Sequence, residues 1–189
     1  MAEYLKHSDD GWYVVLNDKG LKEPLPEYLK VHMIRTQDNR DYFQVLEGLN
    51  FGKTFSIARR NGISYIEKGT IHKALAELTF NIKTENLEIK GLGTFKAITY
   101  LDNPVPLGNY DIEIPDAPHG LGSGYLGNAE YALTWFRVGN AGDRYLHCGS
   151  FSAGCITVKD VDKWDKIYEH LIISRKNNQS VGTVEVVDQ

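Results

Sequence analysis

The chain has 189 residues, with 21 Lys and Arg against 25 Asp and Glu and a formal charge of −4. Its 42% hydrophobic and 24% charged residues describe a folded globular chain rather than a disordered one. No basic cluster exceeds Arg59-Arg60 and no apolar run reaches the ~18–20 residues of a membrane span, so neither nucleic-acid binding nor membrane insertion is expected.

The two cysteines, Cys148 and Cys155, are too few for a disulfide framework. With one nearby His they also fall short of the four ligands of a structural zinc site, and neither metal nor cofactor is expected. The segment Met1–Asp10 carries acids where a secretory leader has a basic start and an apolar stretch, so no Sec-type signal is expected.

In chain order, Trp12–Leu16 reads as a strand closed by the turn Asn17-Asp18-Lys19-Gly20. Lys22–Tyr28, with Pro24 and Pro26, reads as loop. Strands are expected at Asp41–Leu46 and Thr54–Ala58, with Arg59–Gly62 turning into Ile63–Ile66. From Leu78 the alternation sharpens through Thr79–Lys83, Leu87–Lys90 and Thr94–Tyr100, and such closely spaced strands imply an antiparallel sheet. Further strands are expected at Asn109–Ile114, Tyr131–Val138, Arg144–His147 and Val181–Val187. One helix, capped by Asp160, has an apolar face of Val161, Trp164, Ile167, Tyr168, Leu171 and Ile172, and Lys176–Gln179 ends it. The fold class is mostly β, a β-rich α+β chain with one long helix in the C-terminal half.

The chemistry concentrates in Arg144–Val158. A strand delivers His147, a Gly/Ser loop turns back, and Cys155 precedes another apolar run. A free thiol has a pKa near ~8.5, and its thiolate is the nucleophile. An adjacent imidazole can take the proton, and backbone N–H groups left open by small residues such as Ser152-Ala153-Gly154 can hold an oxyanion. For an isolated Cys and His, the plainer reading is a small buried hydrophobe and a hydrogen-bonded core histidine.

The flanking residues shift that balance. Leu146-His147-Cys148-Gly149 and Ser152-Ala153-Gly154-Cys155-Ile156-Thr157 resemble the His and Cys segments of the L,D-transpeptidase (YkuD-like) family. Val105-Pro106-Leu107-Gly108-Asn109-Tyr110 resembles the turn upstream of them, and Gly182-Thr183-Val184-Glu185-Val186 the closing strand. The resemblance runs from about Leu78 to Val187, in the family's order. It implies a β-sandwich or barrel core at 78–189 behind an N-terminal extension or accessory region at 1–77.

The resemblance also implies roles. Cys155 is the nucleophile and His147 the general base. The backbone carbonyl of Cys148 orients the His, and Ser152 and Gly154 shape the nucleophile loop and oxyanion site. The substrate is the peptidoglycan stem tetrapeptide, attacked at its third residue with loss of D-alanine. An amine or water then resolves the thioester, giving transpeptidation, D-amino-acid exchange or carboxypeptidase trimming.

Three features depart from the family. The loop between His147 and Cys155 is shorter, Ala153 stands where a His is usual, and Thr157 stands where an Arg is usual. Arg137 and Arg144 are the candidates to replace that Arg at a substrate carboxylate. Together with the leader reading, these changes resemble the type VI secretion effectors of the family. That implies synthesis in the cytoplasm, delivery to the periplasm or wall by a non-Sec route, and an immunity or secretion-carrier protein as partner.

Weaker signals complete the reading. Pro118–Tyr125 is Gly-rich, and His119 and Tyr125 are either substrate contacts or parts of a solvated turn. Gly48–Thr54 has three residues between its glycines where a phosphate-binding loop needs four. His7, His32, His72 and His170 lack ligand spacing, and Trp12, Trp135 and Trp164 read as core or cleft wall. The competing function is a catalytically silent wall-binding or partner-binding module. A papain-like peptidase is disfavoured because its Cys precedes its His.

Overall fold

Asn, Asp and Gly residues at positive φ cut the alternating apolar runs into short strands. The computed structural model describes all 189 residues and divides them into two units, Met1–His72 and Lys73–Gln189. That division falls five residues ahead of the one drawn from the sequence, because the first strand of the second unit begins at Ala76.

The N-terminal unit holds β1 (Ala2–Leu5), β2 (Trp12–Leu16), β3 (Lys22–Pro26), β4 (Lys30–Gln37), β5 (Arg40–Val45), β6 (Thr54–Ala58) and β7 (Ile66–Gly69). They form one sheet in the order β3-β2-β6-β5-β4-β1-β7, and every pairing is antiparallel. Asp38 and Asn39, both at positive φ, make the two-residue turn between β4 and β5 that a right-handed sheet twist favours. Inward residues such as Leu5, Val15, Leu25, Phe43, Val45 and Phe55 form the core.

Lys22–Pro26 is an edge strand rather than loop. Pro24 lies opposite Val14 and Pro26 opposite Trp12, every second position, so both missing N–H groups fall on the side turned away from β2. Of the expected Ile63–Ile66 strand only an Arg60–Ile63 bridge forms before β7.

The C-terminal unit holds β8 (Ala76–Asn81), β9 (Asn86–Ile89), β10 (Gly93–Ile98), β11 (Gly108–Glu113), β12 (Phe136–Arg137), β13 (Tyr145–Cys148), β14 (Ile156–Val158) and β15 (Ser180–Val187). Their order is β11-β15-β8-β9-β10-β14-β13-β12. An Ile112–Val138 bridge brings the residue after β12 back to β11, so the sheet curls almost into a barrel. The unit is mostly β, but the sheet is mixed rather than antiparallel: β8–β15 and β13–β14 are parallel pairs. Gly182 permits the first, since a Cβ there would sit 2.1 Å from the Ala76 carbonyl oxygen.

The helix α1 (Trp164–Ile172) has nine residues, shorter than its apolar pattern suggested. Val161–Lys163 form a 3-10 turn before it. Asp160 does not cap it, because its carboxylate accepts the Lys96 N–H at 2.8 Å. Trp164, Ile167, Tyr168 and Leu171 are fully buried, and Tyr168 stacks on Tyr131 with centroids 4.0 Å apart. Tyr131 packs against this helix and its carbonyl accepts Trp164 Nε1–H at 3.0 Å, so Tyr131–Val138 is strand only at Phe136–Arg137.

Candidate active site

Parallel neighbours usually need a crossover of about a dozen residues or more. β13 and β14 are joined by Gly149–Cys155 alone. The strands have four and three residues, so the chain returns only ~10 Å along them, within the ~23 Å reach of seven residues. The loop is tight as a consequence. Gly154 has φ +117°, and a Cβ there would lie 2.5 Å from the Asn103 carbonyl oxygen and 2.8 Å from the Arg144 guanidinium carbon.

This register sets the site. His147 pairs with Thr157, and Cys155 lies just before β14, two residues ahead of Thr157. His147 and Cys155 both line a cavity of about 290 Å³, with Trp135 as a wall and Leu121, Tyr125 and Phe151 at its rim. A wider cleft of about 630 Å³ opens in the N-terminal unit beside Trp12, Tyr13, Arg60 and Tyr65. It contains no thiol, whereas the smaller cavity joins a thiol to an imidazole.

His147 is buried, and its ring is fixed on every side. Nδ1–H donates to the Cys148 carbonyl oxygen at 2.9 Å. That assigns the tautomer, leaving Nε2 to accept from Thr157 Oγ1 at 3.1 Å. The ring stacks on Trp135, centroids 4.1 Å apart and planes 17° apart. Burial disfavours the imidazolium and brings the His147 pKa down to about 4.

The Cys155 thiol is pushed up by burial, against which the Tyr145 N–H and the Arg144 charge act. Tyr145 N–H donates to Sγ at 3.4 Å. Neither nitrogen of His147 bonds Sγ, so the resting pair is a neutral thiol beside a neutral imidazole.

The remaining sequence-derived residues fall into distinct places. Ser152 Oγ donates to the Cys155 carbonyl at 2.9 Å and accepts the Gly154 N–H at 3.2 Å. Gly154 N–H is therefore not an open donor, while the Cys155 N–H has no protein partner. The Cys148 thiol is fully buried, which pushes it up to about 12. Tyr125 Oη accepts the Ser150 N–H at 2.8 Å and pairs with Ser150 Oγ at 2.7 Å, contacts that lower its pKa. His119 stacks on Trp135 and pairs with Asp116 at 3.3 Å.

The two arginines separate. Arg137 lies 3.9 Å from Asp143, pairs across the sheet with Tyr145 and acts on the half-buried Glu113. Arg144 donates to Asn103 Oδ1 at 2.7 Å and packs against Gly154, the residue before Cys155. Sequence reasoning missed the Thr157 and Trp135 contacts to His147. Thr157 entered only as a departure from a motif, and its contact follows from a parallel register that the alternation did not reveal. No group of three or more His, Cys, Asp or Glu residues gathers to hold a metal.

No family model and no curated protein matches the chain. Among solved structures, the chain is similar to L,D-transpeptidase 1 of Mycobacterium tuberculosis. The match has 13% identity and a TM-score of 0.43, covering 83% of this chain and 92% of that one.

Proposed function

We propose that the protein is a cysteine-dependent acyltransferase or hydrolase acting on peptidoglycan stem tetrapeptides. The observation that carries this reading is the shared cavity of Cys155 and His147, with the imidazole held in the tautomer whose Nε2 is free of a proton. The motif resemblance supplies the substrate class.

In the proposed reaction Cys155 Sγ adds to the carbonyl carbon of the third stem residue. The Sγ proton passes to His147 Nε2, for which the Thr157 hydroxyl turns aside; such contacts commonly tighten only with substrate present. The oxyanion forms beside the Cys155 N–H, the donor with no protein partner. Collapse breaks the amide, His147 returns the proton to the leaving amine of D-alanine, and a thioester remains on Cys155. Water or an amine then attacks the thioester. Because the imidazole rests neutral, it serves as a base during attack and not as half of a preformed ion pair.

The short Gly149–Cys155 loop and the Thr157 side chain favour trimming or exchange over cross-linking. Delivery to the wall outside the Sec route, with an immunity or carrier protein, belongs to the same proposal. Incubation with purified sacculi and mass analysis of the muropeptides tests it. Conversion of tetrapeptides to tripeptides without new dimers is expected, and dimers would mean transpeptidation. A second reading, a silent wall-binding module, draws on the absence of a Cys155–His147 hydrogen bond. It gains if sacculi retain the protein while their muropeptides stay unchanged and Cys155→Ala behaves as wild type.

A further inference from the structure

Cys155 has a charge neighbour that the proposed mechanism does not use. Both nitrogens of His147 are engaged elsewhere, one by the Cys148 carbonyl and one by Thr157. The only hydrogen bond to Sγ is from the Tyr145 N–H. The nearest fixed cation belongs to Arg144, immediately before β13, and three observations tie its guanidinium to the nucleophile. The space a Cβ of Gly154 would occupy lies 2.8 Å from both Cζ and Nη1, so the guanidinium is packed on the peptide that precedes Cys155. One end is pinned, because Nη2 donates to Asn103 Oδ1 at 2.7 Å. Its Nε–H is buried without any hydrogen-bond partner, so part of the guanidinium's charge is not taken up by the fold.

We propose that Arg144, pinned by Asn103, is the positioning residue that sets the ionisation of Cys155 and draws anionic electrophiles to it. His147 then moves the proton but does not hold the thiolate. The inference rests on Cys155 being the reactive thiol of the function proposed above, and it needs no turnover to be tested. The other titratable groups around the thiol are Tyr145 and His147 on β13, Cys148 in the same cavity wall, and Tyr125 at the rim, which is held by Ser150. His119 lies beyond Trp135 and is held by Asp116. No carboxylate among these groups faces Sγ to offset the guanidinium.

Alkylation reads this directly: the thiolate attacks the iodomethyl carbon, an S–C bond forms and iodide leaves. The full-length protein is treated with iodoacetamide across pH 6–11, and the label at Cys155 is quantified by peptide mass mapping, which separates it from buried Cys148. In Arg144→Gln the midpoint of the rate profile is expected to rise by about one pH unit, slowing alkylation at neutral pH by roughly tenfold. Arg144→Lys keeps the charge and is expected to recover most of that loss. His147→Gln is expected to leave the midpoint within about 0.3 unit of wild type, since no hydrogen bond joins it to Sγ.

A second readout compares anionic iodoacetate with neutral iodoacetamide. Wild type is expected to favour iodoacetate relative to Arg144→Gln by about threefold or more at low salt, with the preference shrinking as salt is added. Circular dichroism establishes that each variant is folded, and the reagent ratio remains informative if the Gln variant loosens the loop. An unchanged midpoint and ratio in folded Arg144→Gln overturns the proposal, as does an equal shift from His147→Gln. If the Arg144 effects appear but muropeptides are never altered, the proposed function falls and the role of Arg144 stands.

Discussion

The two units bury polar groups to opposite ends. In the N-terminal unit, Asp41 is fully buried and accepts from Ser64 Oγ at 2.6 Å, Thr36 Oγ1 at 2.7 Å and Arg59 Nε at 2.8 Å. Burial raises its pKa, but those hydrogen bonds and the Arg59 charge outweigh it and hold the carboxyl below its usual range. In the C-terminal unit, His147 is buried without any charged partner, and the thiol beside it has a single backbone donor. The first arrangement is closed, with each group's capacity taken up by the fold. The second leaves the Cys155 thiol with one backbone donor and the Cys155 N–H with no protein partner, beside an imidazole whose Nε2 is met only by a hydroxyl. What separates them is strand direction: antiparallel hairpins satisfy their neighbours locally, whereas the parallel β13–β14 pair forces a tight return loop that leaves these groups facing outward together.

The contrast is sharpest at Cys155. Cys155→Ala is expected to reduce muropeptide turnover by at least ~10³-fold with little change in stability, measured by sacculus digestion and by urea unfolding. Asp41→Ala should do the reverse for its own unit. Removing a buried, ion-paired carboxylate is expected to cost about 3 kcal/mol, read from the denaturant midpoint. A neutral result there would mean that the Asp41 network is not the closed arrangement described.

The buried imidazole predicts an acid sensitivity of known sign. The folded His147 pKa is lowered from 6.5 to about 4. Between those values the unfolded chain binds a proton that the folded chain refuses, so stability falls as pH drops through that window and levels off below it. The loss attributable to His147 is on the order of 2–3 kcal/mol. It is measured as the difference between wild type and His147→Gln in urea midpoints at pH 7 and pH 4. A smaller effect is expected from Thr157→Val, which keeps shape but removes the hydroxyl on Nε2. Turnover should change by less than about tenfold and stability by about 1 kcal/mol, and Thr157→Ser should restore both.

Much of the architecture was legible wherever apolar residues alternate, as at β2, β5, β6, β9 and β10. Two misreadings have a common cause. Lys22–Pro26 and Tyr131–Val138 owe their conformation to what lies beside them, an edge position and a packed helix, rather than to their own pattern. Parallel pairing was hidden because alternation marks the face a residue takes and not the neighbour or direction its strand pairs with, which holds for the short β13–β14 pair and the longer β8–β15 pair alike. The Cys155 and His147 pairing in one cavity could be anticipated from the motif order. The Thr157 contact to His147 and the Arg144 packing on Gly154 could not, since each depends on the parallel register or on the return of the Gly149–Cys155 loop.

The proposed reaction passes through a thioester on Cys155, and trapping that thioester is the most direct test. Protein mixed with a stem tetrapeptide and quenched in acid within the first turnovers is analysed by intact mass and peptide mapping. An adduct with the mass of the acylating tripeptide, on the peptide carrying Cys155 and absent from Cys155→Ala, is the result expected. Turnover of the tetrapeptide with no adduct, or with an adduct on any other residue, would contradict it.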